Sequence, residues 1–261
     1  MPSVHQFLQG EPQADGTWRF EIGRERHGAF GGAFGGLLAA SCVHTALGTV
    51  PGKAAVSADL RFVRGLPAGT ARFVPTILHD GRTLTTMTVD VFDERDRLAT
   101  RATIGLAARG VLAELDHPGA SPEPPDSLPW AEGVPWKTGT AADAPLVESF
   151  QPRAVGRGPL GIATALPVPW GDDPAGSAQA ACLAADMSVG PPVAGAFPDN
   201  PTPAPNPDLS LRFTGRPAAR EVVGWARLER IDHGLATTRI EVWCGTDLVA
   251  VGVSCSLILG R

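Results

Sequence analysis

One aspartate stands at the entrance of an alternating strand, Pro207-Asp208-Leu209-Ser210-Leu211-Arg212-Phe213. Leu209, Leu211 and Phe213 share one face, and Asp208, Ser210 and Arg212 share the other, because side chains alternate along a strand. A carboxylate between a loop and a strand mouth is placed where it could act as a general base on water. A second acid, Asp186, falls near the C-terminal end of a helix, where the helix dipole disfavours negative charge. Gly35 and Gly36 open an apolar helix. Glycine lets a ligand approach the backbone closely, and the first N–H groups of a helix are free to bind an oxyanion. Each feature also has a plain structural reading: a polar residue at a loop-to-strand junction, a solvated or hydrogen-bonded helix end, and packing glycines.

Several function classes are set aside by composition. The net charge is −5 over 261 residues, so the basic footprint of a nucleic-acid binder is missing. No run of eighteen apolar residues is present, so no membrane span is expected. The N-terminus has neither a basic start nor an apolar run and does not read as a secretory signal, which points to a cytoplasmic protein. Cys42, Cys182, Cys244 and Cys255 lie far apart with no Cys/His clustering, which reads as reduced, mostly buried thiols and no metal site.

The elements that must position these residues follow from periodicity and breakers. Trp18–Ile22 reads as a strand. Leu37 to Leu47 reads as a buried helix stopped by Gly48 and Pro51, with His44 as a core histidine on it. Four strands follow, at Ala54–Val63, Gly69–Leu78, Thr83–Phe92 and Arg97–Ala107, separated by turn residues. Residues 111–146 are rich in proline and read as a linker between segments 1–110 and 147–261. The second segment repeats the plan. Ser149–Val155 is a possible strand. A helix starts with Asp173 as N-cap and Pro174 at its first position, and Gly190-Pro191-Pro192 is expected to end it. After the Asp208 strand come strands at Glu221–Glu229, Ala236–Cys244 and Leu248–Leu259.

An offset of 151 residues maps Leu60-Arg61-Phe62 onto Leu211-Arg212-Phe213, Leu84 onto Leu235, Val91 onto Val242, Ala99 onto Ala250 and Leu106 onto Leu257. The register needs no gap and implies a duplication. One helix followed by a run of antiparallel strands, twice over, is an α+β pattern and describes a double hotdog: two tandem halves, each a central helix wrapped by an antiparallel sheet.

Over nearly its whole length the chain resembles the acyl-CoA thioesterase II family and its thioesterase-like relatives. Phe34-Gly35-Gly36 resembles that family's Phe-Gly-Gly helix start, and His79-Asp80-Gly81-Arg82-Thr83-Leu84 its Arg-Asp-Gly-x-Ser-Phe segment. Trp170 with Asp172-Asp173-Pro174 resembles the entry to the second helix, Ala185-Asp186 its Ser-Asp end, and Asp208 to Phe213 the Asp-His-Ser-x-x-Phe strand. The resemblance implies hydrolysis of an acyl-CoA thioester, with coenzyme A as part of the substrate and no further cofactor. It implies that Asp208 orients or activates a water. The partner positions, glutamine and threonine in the family, fall on Ser254 and near His233. In single-hotdog relatives the acid often sits on the central helix, which keeps Asp186 a candidate. Gly35 and Gly36 would bind the thioester oxygen.

An acyl slot is expected along Ala250, Gly252, Ser254 and Ser256, which are small and share one face of the last strand. Arg61, Arg64, Arg153, Arg157 and Arg216 are candidates for the CoA phosphates. The resemblance also allows assembly into homodimers or homotetramers. The altered partners leave room for a non-catalytic acyl-CoA or acyl-carrier binding protein of the same fold. A hotdog enoyl-CoA hydratase would need a histidine after Asp199-Asn200-Pro201, and none follows.

Overall fold

The computed structural model describes residues 2–113, 115, 124, 126–136, 144–158, 161–171, 174–197 and 203–259. Four α-helices are described: α1 (Val4–Leu8), α2 (Gly35–Thr49), α3 (Pro145–Ser149) and α4 (Ser177–Gly195). The first-half strands are β1 (Gly10–Pro12), β2 (Trp18–Ile22), β3 (Ala54–Phe62), β4 (Gly69–Asp80), β5 (Leu84–Phe92) and β6 (Leu98–Ala107). Then come β7 (Val134–Pro135), β8 (Arg153–Gly158), β9 (Gly161–Pro167), β10 (Asp208–Phe213), β11 (Glu221–Asp232), β12 (Leu235–Cys244) and β13 (Asp247–Leu257).

All of these strands join one antiparallel sheet of 13 strands, in the order β1-β2-β4-β5-β6-β3-β10-β13-β12-β11-β9-β8-β7. From the β3–β10 junction outward the order reads the same in both directions as far as β2 and β9, with β6 matched to β13, β5 to β12 and β4 to β11. The halves meet where β3 runs against β10, and the pairs mirror one another. Asp208 lies opposite Arg61 and Arg212 opposite Ser57, while Asp59 faces Ser210. Asp59 and Ser210 are themselves 151 apart, so the pseudo-two-fold axis passes through that pair. The long helices α2 and α4 pack on each other inside the curled sheet. One apolar core runs through both halves, with Leu37, Val43, Leu60, Phe73 and Ile104 from the first and Leu183, Leu209, Leu211 and Ile240 from the second. This is the α+β double-hotdog arrangement expected from the repeat.

The 151 register holds through β3, β4 and β5, down to a shared irregularity. The β4–β5 ladder slips between Ile77 and His79, and the β11–β12 ladder slips between Leu228 and Arg230. It fails by one residue at the next hairpin. Thr86 pairs with Gly105, whereas Thr237 pairs with Cys255 rather than Ser256. The turn after β12 is one residue shorter, so the last strands correspond at an offset of 150. Burial agrees: buried Leu106 matches buried Ser256, not the more exposed Leu257.

Other expectations are corrected too. Helix α4 begins at Ser177, with Gly176 as its N-cap, and runs through Pro191 and Pro192 to Gly195. A proline removes only its own N–H, and Gly190 has no Cβ to meet the following ring. Both rings are buried, so packing holds the last turn helical. The N-cap assigned to Asp173 and the Asp199-Asn200-Pro201 string lie outside the described residues. Ser149 closes α3 instead of opening a strand. Strand β9, the true counterpart of β2, is rich in alanine and glycine and gives little strand signal. Among the described residues, no helix is long and apolar enough to cross a membrane. The cysteines are free, with Cys42 and Cys182 buried.

Candidate active site

Asp186 lies in the body of α4, where that helix meets the start of α2. Its Oδ2 accepts a 2.7 Å hydrogen bond from the Gly36 N–H, and its Oδ1 accepts a 2.8 Å bond from Asn206 Nδ2. The approach depends on missing side chains. A Cβ on Gly35 would fall 2.9 Å from Asp186 Oδ2, and one on Gly36 would fall 3.0 Å from the Cys182 carbonyl oxygen. The two glycines therefore pack α2 against α4 and also present backbone to the carboxylate. The Gly36 N–H is taken by Asp186. The Gly35 N–H, at the first helical position, has no acceptor among the described residues.

This carboxylate borders a cavity of about 420 Å³ between the halves. Gly35, Phe34, Leu38, Phe62, Leu66 and Met187 line it on the α2 and α4 sides, and Arg64 and Asn206 supply polar groups. Asp186 is only 9% exposed. Burial pushes its pKa up, and the bonds from Asn206 and Gly36 hold it back in part. Burial, and secondarily the Asp186 charge one turn away, also pushes the Cys182 thiol up, so it is not a poised thiolate.

Asp208 is placed differently. Its Oδ2 lies 3.1 Å from Arg61 Nη1 on the polar face of the sheet, and its Oδ1 accepts from the Cys255 N–H at 2.8 Å. Ser254 is brought to it, donating its hydroxyl to the Asp208 carbonyl oxygen at 2.6 Å. Asn206 also reaches that carbonyl, at 3.4 Å, so a polar chain runs from Asp186 through Asn206 to the Asp208 backbone and Ser254. The Asp208 carboxylate itself is not among the residues lining the cavity.

His233 is not brought to Asp208. It occupies the β11–β12 turn at a φ of 46°, its side chain 96% exposed, and β13 stands between β12 and β10. The resemblance put it near the site; the hairpin carries it away. The expected acyl slot on the last strand is also corrected. Ala250, Ser254 and Ser256 are buried against the interior, and of β13 only Leu257 reaches the cavity. Of the candidate arginines, Arg64 lines the cavity, Arg61 pairs with Asp208 and Arg153 lies over the Trp130 ring, while Arg157 and Arg216 are not among the residues lining it.

Asn206 was not singled out in the sequence. Its signal was available: an amide two residues before Asp208, held between Pro205 and Pro207.

A buried acid on one central helix is thus bonded to the glycine start of the other where the two halves meet. Residues 24–107 match the acyl-CoA thioesterase N-terminal domain family. The resemblance read from the motifs is borne out over that stretch of the first half. Among solved structures, a proposed thioesterase from Novosphingobium aromaticivorans is 23% identical, covers 96% of this chain and 98% of its own, and superposes with a TM-score of 0.80. The acyl-CoA thioesterase II TesB2 from Mycobacterium marinum is 17% identical over 99% of both chains, with a TM-score of 0.77. A conserved protein of hot dog fold from Alicyclobacillus acidocaldarius is 19% identical over 100% of this chain and 99% of its own, at 0.80. No curated protein matches the chain in sequence.

Proposed function

We propose that the protein hydrolyses an acyl-CoA thioester and that Asp186 holds and activates the water. The observation that carries this reading is the buried Asp186 carboxylate at the cavity wall, beside the unpaired Gly35 N–H. Each Asp186 oxygen accepts one bond and keeps lone-pair capacity for a water. The carboxylate takes a proton as the water oxygen bonds to the thioester carbon. The carbonyl electrons move onto oxygen, where the Gly35 N–H and the start of α2 stabilise the charge. The tetrahedral adduct then expels CoA as thiolate. A thiol pKa of about 8.5 makes this an easy departure, and the Asp186 proton returns to sulfur. The apolar wall formed by Phe34, Leu38, Phe62 and Leu66 suits an acyl chain.

Release of free CoA from short, medium, long and aromatic acyl-CoAs tests the reaction. Turnover on at least one class is expected. Saturable binding of acyl-CoA with no turnover on any of them would replace this reading with a binding protein.

A further inference from the structure

A second cavity, of about 570 Å³, opens at the other end of the helix pair. It is the pseudo-two-fold mate of the first. Phe213 lines it where Phe62 lines the first, and those residues are 151 apart. The start of α4 (Ser177, Ala178) takes the place of the start of α2 (Gly35, Gly36), an offset of 142. The same offset sets His44 against Asp186 and Gly48 against Gly190, and all four residues line their respective cavities.

The chemistry of the mate is inverted. Lys53, Arg109 and Arg216 line it, and among its described lining residues there is no carboxylate. Lys53 is engaged by Asp80, the Gly81 carbonyl and Thr85. Arg109 spends one N–H on the Gly215 carbonyl at 3.2 Å, and Arg216 stands 3.8 Å from Asp247. A guanidinium carries five N–H donors, so Arg109 keeps others for a ligand. His44 in the acid's place is held neutral, its pKa pulled to about 4 by burial and then by His5. A neutral imidazole adds no charge against an anion.

An independent observation points to a ligand. Gln179, in the first turn of α4, lines this cavity at 1% exposure, and its carboxamide oxygen is buried with no hydrogen-bond partner among the described residues. A buried, unpaired carbonyl costs free energy until a donor meets it. We infer that this second cavity is a non-hydrolytic binding site for a phosphate-bearing small molecule with amide or hydroxyl donors. The phosphate would meet Arg109 and Arg216, an N–H or O–H would meet Gln179, and the apolar remainder would lie on Phe213 and Leu47. CoA and adenine nucleotides share this chemistry, and the test separates them.

Isothermal titration of the full chain with CoA and, separately, with ADP reads the site. Asp186→Asn serves as background against turnover, and the second-cavity variants tell this site from the first cavity, where CoA can also bind. Saturable binding of at least one ligand is expected. Arg109→Ala/Arg216→Ala should weaken it at least tenfold and Gln179→Leu about fivefold, with CoA release by the otherwise wild-type enzyme unchanged. Binding of CoA alone identifies a pantetheine-type ligand, and equal binding of ADP a nucleotide. The arginines lie at the surface, so their removal does not test folding, and Gln179→Glu provides a second buried variant that should repel phosphate. No saturable binding of either probe, or binding indifferent to both the arginine pair and Gln179→Glu, overturns the inference. Thioesterase turnover is measured separately, so the two claims fail independently.

Discussion

The two halves share a strand order, a register and a helix packing, yet their cavities differ in one decisive respect. The first places a buried acid, Asp186, where α4 meets the glycine start of α2. The second places a neutral histidine, His44, where α2 meets the start of α4, and surrounds it with cations. The interior strand positions diverge in parallel. Met87, Ile104 and Leu106 fill the first half, while Thr238, Ser254 and Ser256 occupy the matching places in the second. Fold is set by what the halves share, namely alternation and helix–sheet packing. Chemistry is set by the few positions where duplication has left them unlike.

That contrast can be broken by forcing the halves to agree. His44→Asp would bury a carboxylate with no partner equivalent to Asn206. It should cost about 2–3 kcal/mol of stability, several degrees of melting temperature at neutral pH. Gly35→Ala should lower kcat about tenfold, since its Cβ would meet the Asp186 carboxylate at 2.9 Å and must displace it. Asn206→Ala removes one of the two bonds that restrain the raised Asp186 pKa. The acidic limb of the pH–rate profile should move to higher pH, by under about one unit. The smallest effect is on stability. The folded pKa of Asp186 lies above its unfolded value, so its charge weighs against folding increasingly as pH rises from the usual carboxylate range through that folded pKa. The melting temperature of Asp186→Asn relative to wild type should therefore climb over that window and then level off.

Much of this was legible in the chain. The first-half strands and α2 are bounded by strong breakers such as Gly48, Pro51, Pro67 and Gly81, and their ends agree within about two residues. The duplication could be read from Leu60-Arg61-Phe62 and Leu211-Arg212-Phe213, but a one-residue difference in a turn leaves no trace in sparse identities. The end of α4 is not legible in the sequence, because Gly190-Pro191-Pro192 is a stop signal that burial overrides. At the site, Asp186 and Gly35-Gly36 carried their own signals. What sequence could not show is that the Asp208 carboxylate faces Arg61 on the outside of the sheet, since β3 joins β10 across a sequence separation of 147. The same non-local pairing decides which of the two acids meets the cavity.

The most direct test sets those acids against each other: kcat/KM of Asp186→Asn and Asp208→Asn on the same acyl-CoA, at a pH above the acidic limb. Loss of the general base at Asp186 should lower the rate by about 10²–10⁴. Loss of the Asp208 charge, which touches Arg61 and the Cys255 N–H outside the cavity, should leave it within about threefold. The reverse ranking, with Asp208→Asn inactive and Asp186→Asn near wild type, would contradict the assignment of the chemistry to the cavity between the halves.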